Sequence, residues 1–156
     1  MTHQAIVTDF YTAFAEGDAN RMVSYYHDEA IFQDPAFGSL SGDRVPSMWR
    51  MLLSNKDAAP QISFSNISVR DDSISAEWRA EYLFGPKKRR VVNEVRAQMQ
   101  FQDGKIISHV DSFDVWKWAK QALGLTGVIL GWSPFMKNKI RHLSNQKLDQ
   151  FIDSNK

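Results

Sequence analysis

The chain has 156 residues, 43% of them hydrophobic and 24% charged, and its formal net charge is +1. These values are typical of one globular domain, and they give no overall charge that would attract nucleic acid. The sequence lacks cysteine, which excludes disulfides, thiolate nucleophiles and cysteine-bound zinc. Because it has no apolar signal-peptide core and no run of about 18 apolar residues, we expect a cytoplasmic protein without a membrane partner.

Helical periodicity marks the first third of the chain. The first predicted helix has an apolar stripe made of Ile6, Phe10, Ala13 and Phe14. Gly17 ends this helix, and Asp18 can cap a second, shorter helix that turns Met22 and Tyr26 inward. A loop is expected from Gly38 to Asp43, before a third helix. The apolar stripe of that third helix consists of Val45, Met48, Trp49, Leu52 and Leu53.

The second half of the chain has the two-residue period of long strands. This alternation runs from residue 61 to 115, and turn signals at 85–88 and 103–104 divide it into antiparallel strands. A phase slip at Ser65 and Asn66 indicates a β-bulge in the first of them.

One face of this predicted sheet is apolar, so other elements must cover it, and the three N-terminal helices are suited to do so. The sequence therefore predicts an α+β domain over residues 1–118, with N-terminal helices packed on a curved antiparallel sheet. Residues 119–156 are predicted to form a helical C-terminal extension that packs on this domain.

The first candidate functional residue is Asp34, at the end of a short strand. Pro35 biases Asp34 toward an extended conformation. The neighbouring Phe32, Ala36 and Phe37 should exclude water, which raises the pKa of a carboxylate and suits it to proton transfer. The alternative role is structural, since Asp before Pro often caps the following turn.

His109 and Asp111 are the second candidate. They are two residues apart on the last predicted strand, so their side chains share one face. By alternation, that face also carries Trp78, Tyr82, Asn93, Ala97 and Phe113. A mostly apolar lining with a few convergent polar groups is typical of a small-molecule site, although a satisfied buried His–Asp pair is the alternative. A His-x-Asp pair supplies two metal ligands only, so neither a metal nor a cofactor is predicted.

Three further features allow more than one interpretation. Trp49, Trp78 and Tyr82 can stack on a flat ligand, and they are equally suited to a core. The basic run at 87–90 is more simply a solvated hairpin tip than a nucleic-acid patch. Apolar residues 126–132 can cap a pocket, form a dimer interface or touch a membrane, and their glycines favour packing against protein.

The outer face of the predicted sheet carries the apolar residues Leu83, Val92 and Val110 among polar ones. A broad sheet face of this kind is often covered by a symmetric partner. We therefore expect a homodimer.

The order of these elements, with the strand motif Asp-Glu-Ala-x-Phe-x-Asp-Pro at 28–35, resembles the nuclear transport factor two-like superfamily. The likeness covers roughly residues 3–118 and is greatest to its SnoaL-like and ketosteroid isomerase groups, which implies a cone-like fold. In ketosteroid isomerases the Asp of the Asp-Pro pair shuttles the proton, and the resemblance assigns this role to Asp34. The two oxyanion donors of those enzymes fall on Phe10, with Tyr11 one step round the helix, and on Ala97. Both donors are missing, so steroid isomerisation by that mechanism is not expected.

Members of this superfamily include isomerases, hydrolases, cyclases, dehydratases and non-catalytic modules, so fold does not decide function. Our first hypothesis is an enzyme doing acid/base chemistry (isomerisation, dehydration or hydration) on a small apolar ligand, with Asp34, His109 and Asp111 as catalytic groups. The ligand-lining residues would be Phe10, Tyr11, Trp49, Trp78, Tyr82, Asn93, Ala97 and Phe113. The second is a non-catalytic module that binds a small ligand or a protein. A strongly shifted pKa in the pocket favours the enzyme.

Overall fold

The structure is a computed structural model that describes residues 1–156. Its helices are α1 His3–Glu16, α2 Ala19–Val23, α3 Arg44–Leu52, α4 Val115–Leu123, α5 Leu125–Leu130 and α6 Pro134–Ser154. Its strands are β1 Tyr26–Asp34, β2 Gly38–Ser41, β3 Gln61–Arg70, β4 Ser73–Phe84, β5 Arg89–Gln102 and β6 Lys105–Ser112. The predicted α+β class, with helices on a curved sheet, is confirmed.

Local signals fix the ends of the first helices. The Thr2 hydroxyl accepts a hydrogen bond from the Ala5 amide at 3.0 Å, and Gly17 ends α1 with a φ of +74°. The Asp18 carboxylate then caps α2. Tyr26 departs from the prediction, because the chain has left α2 before this residue and Tyr26 opens β1. The interior side chains of β1 therefore follow strand alternation at its C-terminal half.

The six strands form one sheet in the order β2-β1-β6-β5-β4-β3. All neighbouring pairs are antiparallel except β1 and β6, which run parallel. Tight turns require antiparallel pairing, whereas residues 35–104 separate β1 from β6 and leave length for a parallel crossover. The predicted bulge is present, since the β3–β4 register shifts between Ser65 and Ser68. The expected loop after Gly38 instead begins as β2, which covers the outer edge of β1.

The core lies between the concave face of the sheet and helices α1 and α3. Phe10, Tyr11, Phe32 and Trp49 are among its largest buried side chains. From the C-terminal segment, Leu148 of α6 is fully buried in the same core.

Polar contacts also hold α6 against the N-terminal part of the domain. Arg44 contacts Asp149 at 2.6 Å and Asn145 at 2.9 Å, and Asn145 donates to the Phe37 carbonyl at 2.8 Å. A boundary at residue 118 stays a prediction. None of the helices combines the length and apolarity that crossing a bilayer requires.

Candidate active site

A chain of buried hydrogen bonds links α3, β1 and β6. The Trp49 indole nitrogen donates to the Tyr26 hydroxyl at 2.9 Å, and that hydroxyl lies 2.6 Å from His109 Nδ1. On the other side of the ring, His109 Nε2 lies 2.8 Å from Asp111 Oδ1. The four side chains are almost completely removed from solvent.

The chemistry of the donors shows which group donates each proton in this row of hydrogen bonds. An indole N–H can only donate, so the Tyr26 oxygen accepts from Trp49 and gives its own proton to His109 Nδ1. In a neutral imidazole the proton then sits on Nε2, from which it is donated to the Asp111 carboxylate. Both ring nitrogens of His109 are thus used within the protein, and its exposed fraction is 0%. His109 therefore orients Asp111 and has no free nitrogen for a ligand.

Asp111 keeps one free oxygen. Its Oδ1 accepts from His109 and makes a long contact of 3.5 Å with the Trp78 indole nitrogen, while Oδ2 accepts no hydrogen bond from the protein. The carboxylate is thus held in one orientation by its first oxygen. Its second oxygen remains available to accept a proton or a hydrogen bond.

Asp34 reaches the same region because β1 and β6 run parallel. Phe32 aligns with His109 and Gln33 with Val110, so the next step of the register places Asp34 beside Asp111 on the same face. Neither residue is near the other in sequence. The parallel pairing of β1 with β6 makes them neighbours.

The environment of Asp34 raises the pKa of its carboxyl group from 3.8 to about 7. Burial is the largest cause, and the charge of Asp111 adds to it. Hydrogen bonds from the backbone amides of Phe37 and Ala36 oppose the shift. The Phe37 amide donates to Asp34 Oδ1 at 2.6 Å, so the turn-capping role is also present. The capping bond uses Oδ1 of Asp34, and the proton-transfer role of this residue stays a prediction.

Tyr11 is the third polar group near Asp111. Its hydroxyl is the only buried side-chain nitrogen or oxygen in the structure without a hydrogen-bond partner. Burial raises the pKa of this hydroxyl, and the charges of Asp111 and Tyr26 raise it further. An unpaired buried hydroxyl costs about 1–3 kcal/mol, so this donor is suited to an oxygen atom of a ligand.

The remaining predicted site residues divide into two groups. Ala97 aligns with Asp111 across the sheet, and Trp78 contacts it, so both border the two carboxylates. Phe10 lies behind them, with its ring centroid 5.8 Å from those of Trp49 and His109, and forms core.

The other group lies away from the carboxylates. The Tyr82 hydroxyl accepts a hydrogen bond from the Trp118 indole at 2.8 Å. Tyr82 is four residues from Trp78, which is about 13 Å along β4. Asn93 aligns with Ala80, midway between Trp78 and Tyr82 along β4. Phe113 follows the end of β6 and takes no part in the hydrogen-bonded chain.

Sequence reasoning missed Tyr26 as a member of the site. Its assignment to α2 hid it, although strand spacing from Asp34 through Phe32 and Ala30 pointed back toward this part of the chain. No group of three or more His, Cys, Asp or Glu side chains is arranged to hold a metal ion.

The sequence matches the profile of the SnoaL-like domain over residues 7–109. The protein belongs to the SnoaL-like family. The resemblance predicted from the Asp-Pro strand and the order of elements is confirmed. No functionally curated protein matches this SnoaL-like chain.

Solved structures with the same fold include enzymes and a protein of undefined role. An LEH-like epoxide hydrolase of Mycobacterium tuberculosis is 21% identical, with a TM-score of 0.64 over 81% of this chain and 93% of its own. The epoxide hydrolase/cyclase-like enzyme SalBIII, described for pyran ring formation in the polyether salinomycin, is 19% identical, with a TM-score of 0.61 over 70% and 88%.

A hypothetical protein of Catenulispora acidiphila, with a ketosteroid isomerase-like fold and bound trimethylamine, is 16% identical. Its TM-score is 0.64 over 83% of this chain and 97% of its own. At these identities the likeness establishes the fold and leaves the chemistry of the SnoaL-like chain to its own residues.

Proposed function

We propose that this SnoaL-like protein is an enzyme that carries out acid/base chemistry on a small, largely apolar ligand between the helices and the sheet. The observation that supports this most is the pair of neighbouring carboxylates in different environments. Asp34 accepts from backbone amides only, and burial still raises the pKa of its carboxyl group to about 7. Asp111 instead accepts from His109 at 2.8 Å and has a long contact with Trp78. Environments that separate two carboxylates in this way assign one as acid and the other as base.

In this proposal Asp111 is the base and the protonated Asp34 is the acid. The free Oδ2 of Asp111 takes a proton from water or a hydroxyl group, and the oxygen of that group attacks an electrophilic carbon of the ligand. As the C–O bond at that carbon breaks, Asp34 gives its proton to the departing oxygen, and Tyr11 donates a hydrogen bond to the same atom. Transfer of one proton from Asp111 to Asp34 restores the starting state.

His109 is a positioning residue in this mechanism, since neither of its nitrogens is free. Hydration or ring formation at an epoxide fits the two roles, and epoxide hydrolase-type proteins are among the structural neighbours. The apolar surroundings supplied by Trp78 and Ala97 suit a hydrocarbon-like substrate.

The test is turnover of small apolar epoxides such as styrene oxide, measured as diol formation. We expect Asp34→Asn and Asp111→Asn each to reduce kcat by about 100-fold or more, because each removes one proton-transfer group. Asp28→Asn is the matched control, since Asp28 is an exposed carboxylate on the same strand. Because donors are missing at Phe10 and Ala97, a β,γ-unsaturated ketosteroid should be isomerised poorly.

The complete burial of the His109 ring also fits a non-catalytic module that binds a small ligand. The results support a binding module instead of an enzyme if apolar ligands bind, none of the tested substrates is converted, and Asp34→Asn leaves ligand affinity unchanged. Turnover that survives both Asn substitutions would contradict the proposed roles while leaving enzymatic activity in place.

We also infer that the protein is a homodimer through the outer face of the sheet. Leu83 and Val110 are exposed on that face, and Val92 is partly buried. Sedimentation at micromolar concentration should give twice the chain mass, and Val110→Glu should give the monomer, since a buried charge opposes association. Val69→Glu, at an exposed valine near the β3–β4 turn, is the control. A monomeric wild-type protein would rule out the dimer.

A further inference from the structure

Large apolar side chains are exposed together around α5. Leu125, Trp132 and Phe135 are 76%, 64% and 68% exposed, and Trp116, Val128 and Ile129 are also exposed. We call these six residues the α5 patch. Single exposed apolar residues are ordinary, but six large ones within residues 116–135, two of them tryptophans, mark an interaction surface.

The packing of α5 explains why its large residues point outward. A Cβ atom at Gly127 would meet the Ala119 carbonyl oxygen at 1.9 Å, so α5 places its glycine against α4. The Trp116 indole donates to the Val128 carbonyl at 3.2 Å and ties the two helices together. The glycine face is therefore buried, and the patch is left on the opposite side without a partner in the chain.

Cations of α4 and of the turn at 87–90 lie next to the α5 patch. Residues 115–148 contain six Lys or Arg residues and no Asp or Glu. The turn at 87–90 adds four cations, and Arg89 Nε donates to the Gln121 carbonyl of α4 at 2.8 Å. Together these segments hold ten of the 19 Lys and Arg residues and none of the 18 acidic residues. A net charge of +1 thus conceals an uneven distribution of charge along the chain.

Part of this basic charge is unpaired. Arg90 pairs with Glu81, and Lys117 lies 3.8 Å from Glu94. Lys87 and Lys120 have no acidic partner, and they line a surface depression of about 590 Å³ with Arg89, Arg90 and Gln121. The Lys120 ammonium lies 4.1 Å from the centre of the Trp116 ring, so cations and patch adjoin directly.

We propose that the α5 patch docks on the surface of a membrane that contains anionic lipids. Tryptophan, phenylalanine and aliphatic side chains enter the boundary between headgroups and acyl chains, while the neighbouring Lys and Arg side chains contact lipid phosphates. This differs from the sequence expectation, which used the glycines of residues 126–132 to favour packing against protein. In the structure the glycine of α5 does pack inward, and that packing leaves the aliphatic residues exposed.

Charge distinguishes this occupant from the others. A symmetric contact between two copies through the patch would bring the α4 and 87–90 cations of both copies together, and their repulsion disfavours it. Single-stranded nucleic acid would suit the cations and tryptophans, but it offers nothing for Leu125 and Ile129. An anionic lipid surface complements both the charge and the aliphatic residues.

The test is co-sedimentation of the full chain with vesicles of phosphatidylcholine alone, or with about one third phosphatidylglycerol. We expect binding to the anionic vesicles, weaker binding at high salt, and a blue shift of tryptophan fluorescence on binding. Little binding to the neutral vesicles is expected.

Substitutions identify the surface. Trp132→Ser and Ile129→Asp should each weaken binding by about tenfold or more, and Lys87→Glu by about fivefold or more. Val69→Ser and Arg70→Glu are controls, since both residues are exposed at the other hairpin turn. Circular dichroism melting checks that each variant folds. The proposal is overturned if wild type ignores anionic vesicles, if the controls weaken binding as much, or if only oligonucleotides or self-association respond to these variants.

Discussion

Replacing Asp34 with Asn should stabilise the protein by about 2–4 kcal/mol at about pH 8 and by almost nothing at about pH 4. The pKa of the Asp34 carboxyl group is raised from 3.8 to about 7 in the fold, chiefly by burial. In the unfolded chain this group ionises first as pH rises, so the free energy of unfolding falls between these two values. Below the unfolded pKa both states hold the proton and the group has no effect.

Asparagine removes this titration and retains the acceptor for the Phe37 amide. The difference in unfolding free energy between Asp34→Asn and wild type should therefore grow from about pH 4 and level off above about pH 7. Urea unfolding at a series of pH values measures it, with Asp28→Asn as the exposed control on the same strand. A difference that does not change with pH would show that Asp34 is not desolvated.

The same substitution should lower activity while it raises stability. Functional groups held in unfavourable environments commonly reduce stability, because the fold must keep them where chemistry needs them. A variant that is both more stable and less active would therefore support the proposed role of Asp34. The stability measurement can be made without knowing the ligand.

Replacing His109 with Phe should destabilise the protein by about 3–5 kcal/mol, although the substitution keeps an aromatic side chain. The substitution removes the 2.8 Å donor of Asp111, leaving the carboxylate with only its long contact to Trp78. It also removes the acceptor of the Tyr26 hydroxyl. An almost fully buried carboxylate without its main donor is the dominant cost.

A double-mutant cycle separates that cost from lost packing. In His109→Phe/Asp111→Asn the buried charge is absent, so the double variant should be less destabilised than the sum of the single variants, by about 1–3 kcal/mol. His27→Phe is the matched control, since His27 lies 3.8 Å from the exposed Asp103 and should cost at most about 1 kcal/mol. If the destabilisations caused by the two single substitutions simply add in the double variant, the buried hydrogen bond between His109 and Asp111 is contradicted.

Local rules in the sequence were enough for most of the elements. Gly17 and Asp18 mark the junction of α1 and α2 because capping depends on neighbouring residues only. Alternation over 61–115 predicted the long strands and the bulge at Ser65 and Asn66, since side-chain period is a property of the strand itself. The Asp34–Pro35 pair marked a desolvated acid because its aromatic neighbours are adjacent in the chain.

Alternation along a strand gives the face of a side chain but not its neighbours on other strands. For this reason the sequence placed Tyr82 and Asn93 on the same face as Asp111, and only the strand register shows how far along the sheet each of them lies. Tyr26 was missed for the opposite reason, because its partners His109 and Trp49 come from distant parts of the chain.

The sequence by itself therefore determined most of the helices and the long strands, which face of each is apolar, and that Asp34 is partly removed from water. Only the tertiary structure decided that Asp34 and Asp111 are neighbours, because this depends on the parallel register of β1 and β6. It also decided that His109 is enclosed by Tyr26 and Asp111, and that α5 turns its glycine inward. These arrangements depend on contacts between residues far apart in the chain, which local periodicity and capping do not encode.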